Sequence, residues 1–134
     1  MARYLSDEWL RALDEAASEN EALRQATRGT QLVVQERITD APEGDTAYYV
    51  EVDDGTVTFH PGEHADPDVT FRQPYDIAVA IGRNETSAQA AFMIGKLTVT
   101  GDVGKLIEHH DAFTGIDDAT DAVRARAALD VRAG

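Results

Sequence analysis

The 134-residue sequence predicts an α+β fold, sandwich-like in section: a mostly antiparallel sheet of about five strands with helices packed on one face, an N-terminal helix and a helical C-terminus. Three observations predict it. Between Thr30 and Arg72 four short stretches alternate apolar with polar residues, the period of a strand with one buried face. From Pro74 onward the apolar residues recur at helical spacing. Within that helical half one more alternating stretch, Lys96 to Thr100, lies between two helices, so the sheet gains its last strand late.

Taken in order, Ser6 before Asp7 and Glu8 is a helix start, with acidic groups at the positive end of the helix dipole and Leu5 and Leu10 spaced as a hydrophobic staple. Trp9, Leu13, Ala16, Ala17 and Leu23 give one helix running to about Ala26, with Trp9 as a packing anchor, and Gly29 ends it. In Thr30 to Thr39, Leu32, Val34 and Ile38 share one side and Gln31, Gln35 and Arg37 the solvated other. Glu36 falls on the apolar side and is expected at the frayed or edge end of the strand, because a buried unpaired carboxylate is costly. Pro42 and Gly44 mark a turn, Thr46 to Asp53 alternates again, and Asp54-Gly55 is a hairpin signal leading into Thr56 to His60. After the breakers of Pro61 to Pro67, Asp68 to Arg72 is a short strand, and Pro74 opens a helix with Ile77, Ala78 and Ile81 inward until Gly82 stops it.

The stretch Thr86 to Phe113 organises the rest. Thr86 and Gln89 have capping-box spacing for a helix through Ile94, and Gly95 is placed to close it. Leu97 and Val99 face inward while Thr98 and Thr100 face away. Asp102 then caps a helix whose stripe is Val103, Leu106, Ile107 and Phe113, stopped by Gly115. The remainder, 116–134, is expected either as a further helix on Ile116, Ala119, Val123, Ala127 and Val131 or as a frayed tail, and the whole chain, 1–134, as one domain.

The run AAFMIGKLTVTGDVGKL resembles the signature of the sterol carrier protein type two family, the SCP-like lipid-binding domains, in which a helix ending in Phe-Met-x-Gly-Lys-Leu leads into a strand and then Gly-Asp. The likeness extends upstream through Asp68-Val69-Thr70-Phe71 and the Asp54-Gly55 turn. The resemblance implies an α/β domain whose sheet and helices enclose an apolar tunnel for lipids and which has no catalytic residues.

Composition narrows the partners. The net charge of -13 is spread along the chain and should repel phosphate backbones and anionic headgroups, so neither nucleic acid nor stable membrane insertion is expected. The sequence has no apolar run near the roughly 18 residues of a membrane span, and its N-terminus has no apolar signal core, so a cytoplasmic location is expected. With no cysteine, disulfides and thiolate chemistry are excluded. His60 and His64 are separated by Pro61 and Gly62, which forbid a shared helical face, so no metal is expected. His109 and His110 point about 100° apart on a helix, and only one can face inward. No G-x-S-x-G elbow occurs, and Gly101-Asp102-Val103-Gly104 lacks the lysine of a phosphate loop.

The expectation is therefore a non-enzymatic protein without cofactor that binds or transfers a hydrophobic small molecule, a fatty acid, sterol-like compound or other lipid. Its internal cavity would lie between the inner sheet face and the helices Tyr75 to Ile81 and Ser87 to Ile94. Candidate lining residues are Val57, Phe59, Val69, Phe71, Ile77, Ile81, Ala91, Phe92, Met93, Leu97, Val99, Leu106 and Ile107. Met and Ala among them suit an adaptable apolar wall. The alternative is a filled-core interaction or dimerisation module, and the oligomeric state stands between monomer and homodimer. A cone-shaped isomerase with Asp and Tyr at an apolar pocket is disfavoured, because this chain finishes on helices.

Overall fold

Residues 3–129 are described by a computed structural model. Ser6 caps α1 (Asp7–Ser18), its hydroxyl accepting from the Trp9 amide at 3.2 Å, and the helix buries Trp9, Leu10, Leu13 and Ala17. The single helix expected to Ala26 is two. Asn20 interrupts it, because its side-chain oxygen accepts from the Leu23 amide at 2.9 Å and starts α2 (Glu21–Ala26) in a new direction.

The five strands β1 (Gln31–Thr39), β2 (Thr46–Asp53), β3 (Thr56–Pro61), β4 (Val69–Pro74) and β5 (Thr98–Gly101) form one sheet in the order β3-β2-β1-β4-β5. All neighbours are antiparallel except β1 and β4. The β2–β3 hairpin turns on Asp54 and Gly55, at φ 45° and 92°, the pair of left-handed residues that a type I′ turn requires. Because β1 is central, Glu36 lies in mid-sheet opposite Tyr48 and Phe71 and not at an edge. Its placement corrects the sequence expectation: alternation reveals a strand's faces but not its neighbours.

Gln35 is corrected too. It is fully buried on the other face, beneath the crossover that carries the chain from β3 to β4. Its Nε2 donates to the carbonyls of Tyr48 (3.0 Å) and Gly62 (3.1 Å), and its Oε1 accepts from the His64 amide at 2.8 Å. One amide thus fastens the crossover to the sheet by main-chain contacts.

Asp68 fixes the parallel pairing. Its amide donates to Val33 O (2.9 Å), its Oδ2 accepts from the Val33 amide (2.7 Å), and its Oδ1 accepts from Lys105 Nζ (2.6 Å). Its carbonyl accepts from the Asp102 amide at 2.8 Å and is so close to Gly101 that a Cβ there would stand 2.5 Å from it. Burial pushes the Asp68 carboxyl up, but the Lys105 ammonium and the Val33 amide outweigh it and hold the group below the usual carboxylate range.

The remaining helices are α3 (Tyr75–Gly82), α4 (Ala88–Met93), α5 (Val103–Glu108) and α6 (His110–Leu129). Ser87, not Thr86, caps α4, accepting from the Ala90 amide at 3.0 Å. Gly115 does not end a helix: α6 runs through it because a side chain there would press on Leu23 of α2, 3.2 Å from its Cδ1. The segment left open as helix or frayed tail is helical as far as Leu129; Val131 lies outside the described residues. Gly82 serves the same purpose between α3 and α6, where a Cβ would sit 2.7 Å from that of Ala128, and Arg83 Nε donates to Ala128 O at 2.8 Å. In this way α6 packs against α1, α2 and α3 and bridges helices that rest toward different edges of the sheet, α1 on β3 and α3 on β4. The buried side chains of α1 meet Leu32, Val34, Val50, Val52, Val57 and Phe59 in one core.

Asp68→Ala leaves the Val33 amide without its acceptor and should cost about 2 kcal/mol at neutral pH. Urea unfolding is the check. Because the folded carboxyl titrates below its unfolded value, its charge-dependent contribution is present above the unfolded pKa of about 3.9 and is lost as pH falls through the folded one, so the deficit should narrow in acid.

Candidate functional site: a cavity beneath the last helix

Between the inner sheet face and α6 lies a cavity of about 400 Å³. Its floor is the sheet: Val34, Glu36 and Ile38 of β1, Tyr48 and Val50 of β2, and Phe71 and Gln73 of β4. Trp9 of α1 and Tyr4 before it close one side, and Ala78, Ile81 and Gly82 of α3 with Leu97 close the other. Phe113 and Ile116 of α6 form the roof, the Phe113 ring meeting Phe71 edge-on at 6.3 Å. The polar part of the wall is Asn84, Thr86 and Ser87 on one side and Asp117, Asp118, Asp121 and Arg124 of α6 on the other, most of them solvent-exposed.

This volume lies within the range of small-molecule pockets, about 300–1,000 Å³, and its floor is mainly apolar, as such pockets are. Glu36 is the exception. It keeps partial exposure, and that exposure is to the cavity it lines. Burial pushes its carboxyl up to about 8, against the opposing pull of Arg124, with Asp117 adding to the rise and the Gln73 amide, 3.3 Å away, reducing it. Burial, and the nearby Glu36 carboxyl, likewise raise the Tyr4 and Tyr48 hydroxyls well above their ordinary value. The cavity therefore carries a carboxyl that holds its proton more tightly than usual, on the floor, and a neutral phenol on the floor and on one side, a set that can both donate and accept hydrogen bonds. Glu36 was visible in the sequence as an acid on an apolar face. What was missing was its position in the centre of the sheet.

Of the expected lining residues, the structure brings Phe71, Ile81 and Leu97 to the cavity. Val57 and Phe59 lie in the core under α1, Val69 is fully buried, and Ala91 is the buried contact of α4. Ile77, Val99 and Leu106 are half-buried away from the cavity wall. Phe92, Met93 and Ile107 point outward, 55%, 77% and 78% exposed. A six-residue helix such as α4 has too few turns for a wide buried face, so it rests on Ala91 and turns its bulky side chains to solvent. Of α4 and its cap only Ala88 and Ser87 reach the cavity, whereas α6, which the sequence reading broke at Gly115, supplies the roof. Trp9, Phe113 and Ile116, and Tyr4 just before α1, were missed because the helices cross the sheet at places that no local pattern reveals.

The histidines sit elsewhere. His60 stacks on Tyr49 with ring centroids 4.9 Å apart, and His64 meets the same ring edge-on at 5.1 Å. Among the described residues no group of three or more His, Asp or Glu is placed to hold a metal ion, and no helix is long and apolar enough to cross a membrane.

The profile of the SCP-2 sterol transfer family matches residues 10–113, and the chain belongs to that family. The family likeness seen at Phe92 to Gly101 is thereby borne out. Solved structures agree in fold. A conserved hypothetical protein from Thermus thermophilus superposes with a TM-score of 0.72 at 17% identity, covering 90% of each chain. A crystal structure of sterol carrier protein 2 gives 0.71 at 17% identity over 92% of this chain and 98% of its own. Palmitated sterol carrier protein 2-like 2 from Aedes aegypti gives 0.59 at 21% identity over 82% and 94%. A search of curated proteins finds no match.

The raised carboxyl of Glu36 makes stability depend on pH in a stated direction. The unfolded group releases its proton near pH 4.3 and the folded one near 8, so the folded state binds more protons between them and stability falls as pH rises through that window. At about 1.4 kcal/mol per unit the total reaches several kcal/mol. Glu36→Gln, which cannot ionise, should be at least about 1 kcal/mol more stable than the parent at pH 7. Urea midpoints for both proteins between pH 5.5 and 8.5 should diverge as pH rises; parallel curves would place the Glu36 carboxyl in contact with bulk water.

Proposed function

We propose that this protein is a non-enzymatic carrier that takes up a hydrophobic small molecule, a lipid or sterol-like compound, in the cavity beneath α6. The observation that carries the reading is the cavity itself: about 400 Å³ of space walled by Trp9, Val34, Ile38, Val50, Phe71, Ile81, Leu97, Phe113 and Ile116. Family membership supports the same reading, as does the palmitated state named for the Aedes relative. Capture needs no reaction. Each methylene withdrawn from water contributes roughly 0.8 kcal/mol, and release follows when a better apolar environment is offered. We place the carrier in the cytoplasm, where a net charge of -13 discourages lasting adsorption to anionic membranes. The outward-facing Phe92, Met93 and Ile94 of α4 and its cap favour a second reading, an interaction module that works through this surface.

Substitution of Ala78, buried on the α3 wall of the cavity, separates the two readings. Ala78→Phe should place a ring in the void and abolish saturable uptake of the neutral dye Nile red, with a stability change below about 1.5 kcal/mol. Ala91→Phe, on a buried site with no cavity beside it, should instead destabilise by about 1–3 kcal/mol. If the parent takes up no Nile red, alcohol or fatty acid, the interaction module is the better description.

A further inference from the structure

The two edges of the sheet are treated differently. At the β3 edge the strand ends on Pro61, α1 lies against it, and the Phe59 amide is taken by Asp14 Oδ1. Such devices stop an edge from pairing with another chain. At the other edge β5 pairs with β4 alone, and among the described residues no side chain bonds to its outer side. Because the Asp102 amide donates to Asp68 O, the alternation of an antiparallel ladder turns the backbone of Thr98 and Thr100 toward β4 and that of Val99 and Gly101 outward. Outward N–H and C=O groups are matched by water or by another strand, but not by a hydrocarbon surface.

The surroundings of that edge decide which strand fits. The large exposed apolar side chains among the described residues are Phe92, Met93 and Ile94, just before β5, and Val103 and Ile107, just after it. None of the five lines the cavity. Charge is divided between the same two ends. Lys96, ahead of β5, has no ion-pair partner among the described residues. Beyond the other end lie Asp102 and Glu108, and the cation near them, Lys105, is already bound to Asp68 at 2.6 Å. An antiparallel partner reverses the order of its ends, so a second β5 brings its trailing end to the leading end of the first. With Val99 opposite Val99 of a second copy, the register sets Lys96 opposite Asp102 of that copy, and symmetry repeats the pair.

We infer that the β5 edge binds a second copy of this chain. The two β5 strands pair antiparallel about Val99 and join the sheets into one, with Phe92, Met93 and Ile94 brought toward Val103 and Ile107 of the other copy and Lys96 meeting Asp102. Such a contact is self-complementary and closes at two copies. In a chain of net charge -13, both lysines lie beside this edge. The inference goes beyond the carrier reading and does not rest on it, since the cavity is walled by other residues.

Sedimentation velocity of the full chain over a range of concentration, with residue-resolved amide exchange on the same samples, tests it. The Val99 and Gly101 amides should exchange freely when dilute and become protected as the dimer forms, while those of Thr98 and Thr100 stay protected throughout. Lys96 and Asp102 are exposed, and neither side chain makes a hydrogen bond among the described residues, so both can be changed with the fold intact. Lys96→Glu and Asp102→Lys should each weaken the dimer at least about fivefold, and the double variant should recover the parent's affinity. A parent still monomeric at about 1 mM overturns the proposal. So does a dimer that leaves Val99 and Gly101 unprotected, or a double variant no tighter than the single ones. Nile red uptake, read on the same samples, reports on the cavity and bears on the carrier reading alone.

Discussion

The parallel pairing of β1 with β4, held by Asp68, is the constraint on which the cavity depends. Asp68 exchanges main-chain and side-chain hydrogen bonds with Val33 and receives both the Asp102 amide and the Lys105 ammonium. The register that follows sets Glu36 opposite Phe71 and Ile38 opposite Gln73. A slip of one residue would turn Phe71 and Gln73 to the other face, because side chains alternate along a strand. The floor would then lose its aromatic wall and its only amide. Gln35 holds the same arrangement from beneath, by joining β2 at Tyr48 O to the β3–β4 crossover at Gly62 O and the His64 amide.

Above that floor the fold is built to leave space. α1 rests on β3, α3 on β4, and α6 lies against both, brought close to α3 by Gly82 and to α2 by Gly115, where larger residues would hold the helices apart. Bridging helices cannot also press on the middle of the sheet, and the gap beneath them is the cavity. Its central acid is expensive: a carboxyl forced to stay protonated near neutral pH lowers stability at the position most easily filled by a valine or leucine. Costs of this kind gather where a site must recognise something.

Much of the fold was legible in the sequence because the signals are local. Ser6, the Asp54-Gly55 turn, the β2 boundaries and the inward Leu97 each follow from one residue's own chemistry or from strand period. Asn20 and Gly115 show the limit. Either residue can cap, break or continue a helix: Asn20 caps by accepting from the Leu23 amide three residues on, whereas Gly115 continues its helix and is read only from what lies across the interface, Leu23 Cδ1. For the cavity the limit is stricter. Phe71, Ile81 and Leu97 were found because strand and helix faces point them inward, but Glu36, Gln73, Trp9 and Phe113 meet only through sheet order and helix crossing. Phe92 and Met93 show the reverse error, since apolar character does not bring burial on a helix too short to cover them.

The roof follows every strand of the sheet in the chain. Every sheet strand is complete by Gly101, while α6 spans His110–Leu129 and meets Gly82 of α3 in its second half, at Arg124 and Ala128. During synthesis the ribosome therefore releases the whole floor before the segment that covers it. A nascent chain would present Val34, Val50 and Phe71 as an open apolar basin, and domains emerging in this order rely on rapid docking of the last helix or on chaperones to shield such surfaces. A lipid already present in that basin would be enclosed as α6 docks, so that first loading could accompany folding and not wait for it.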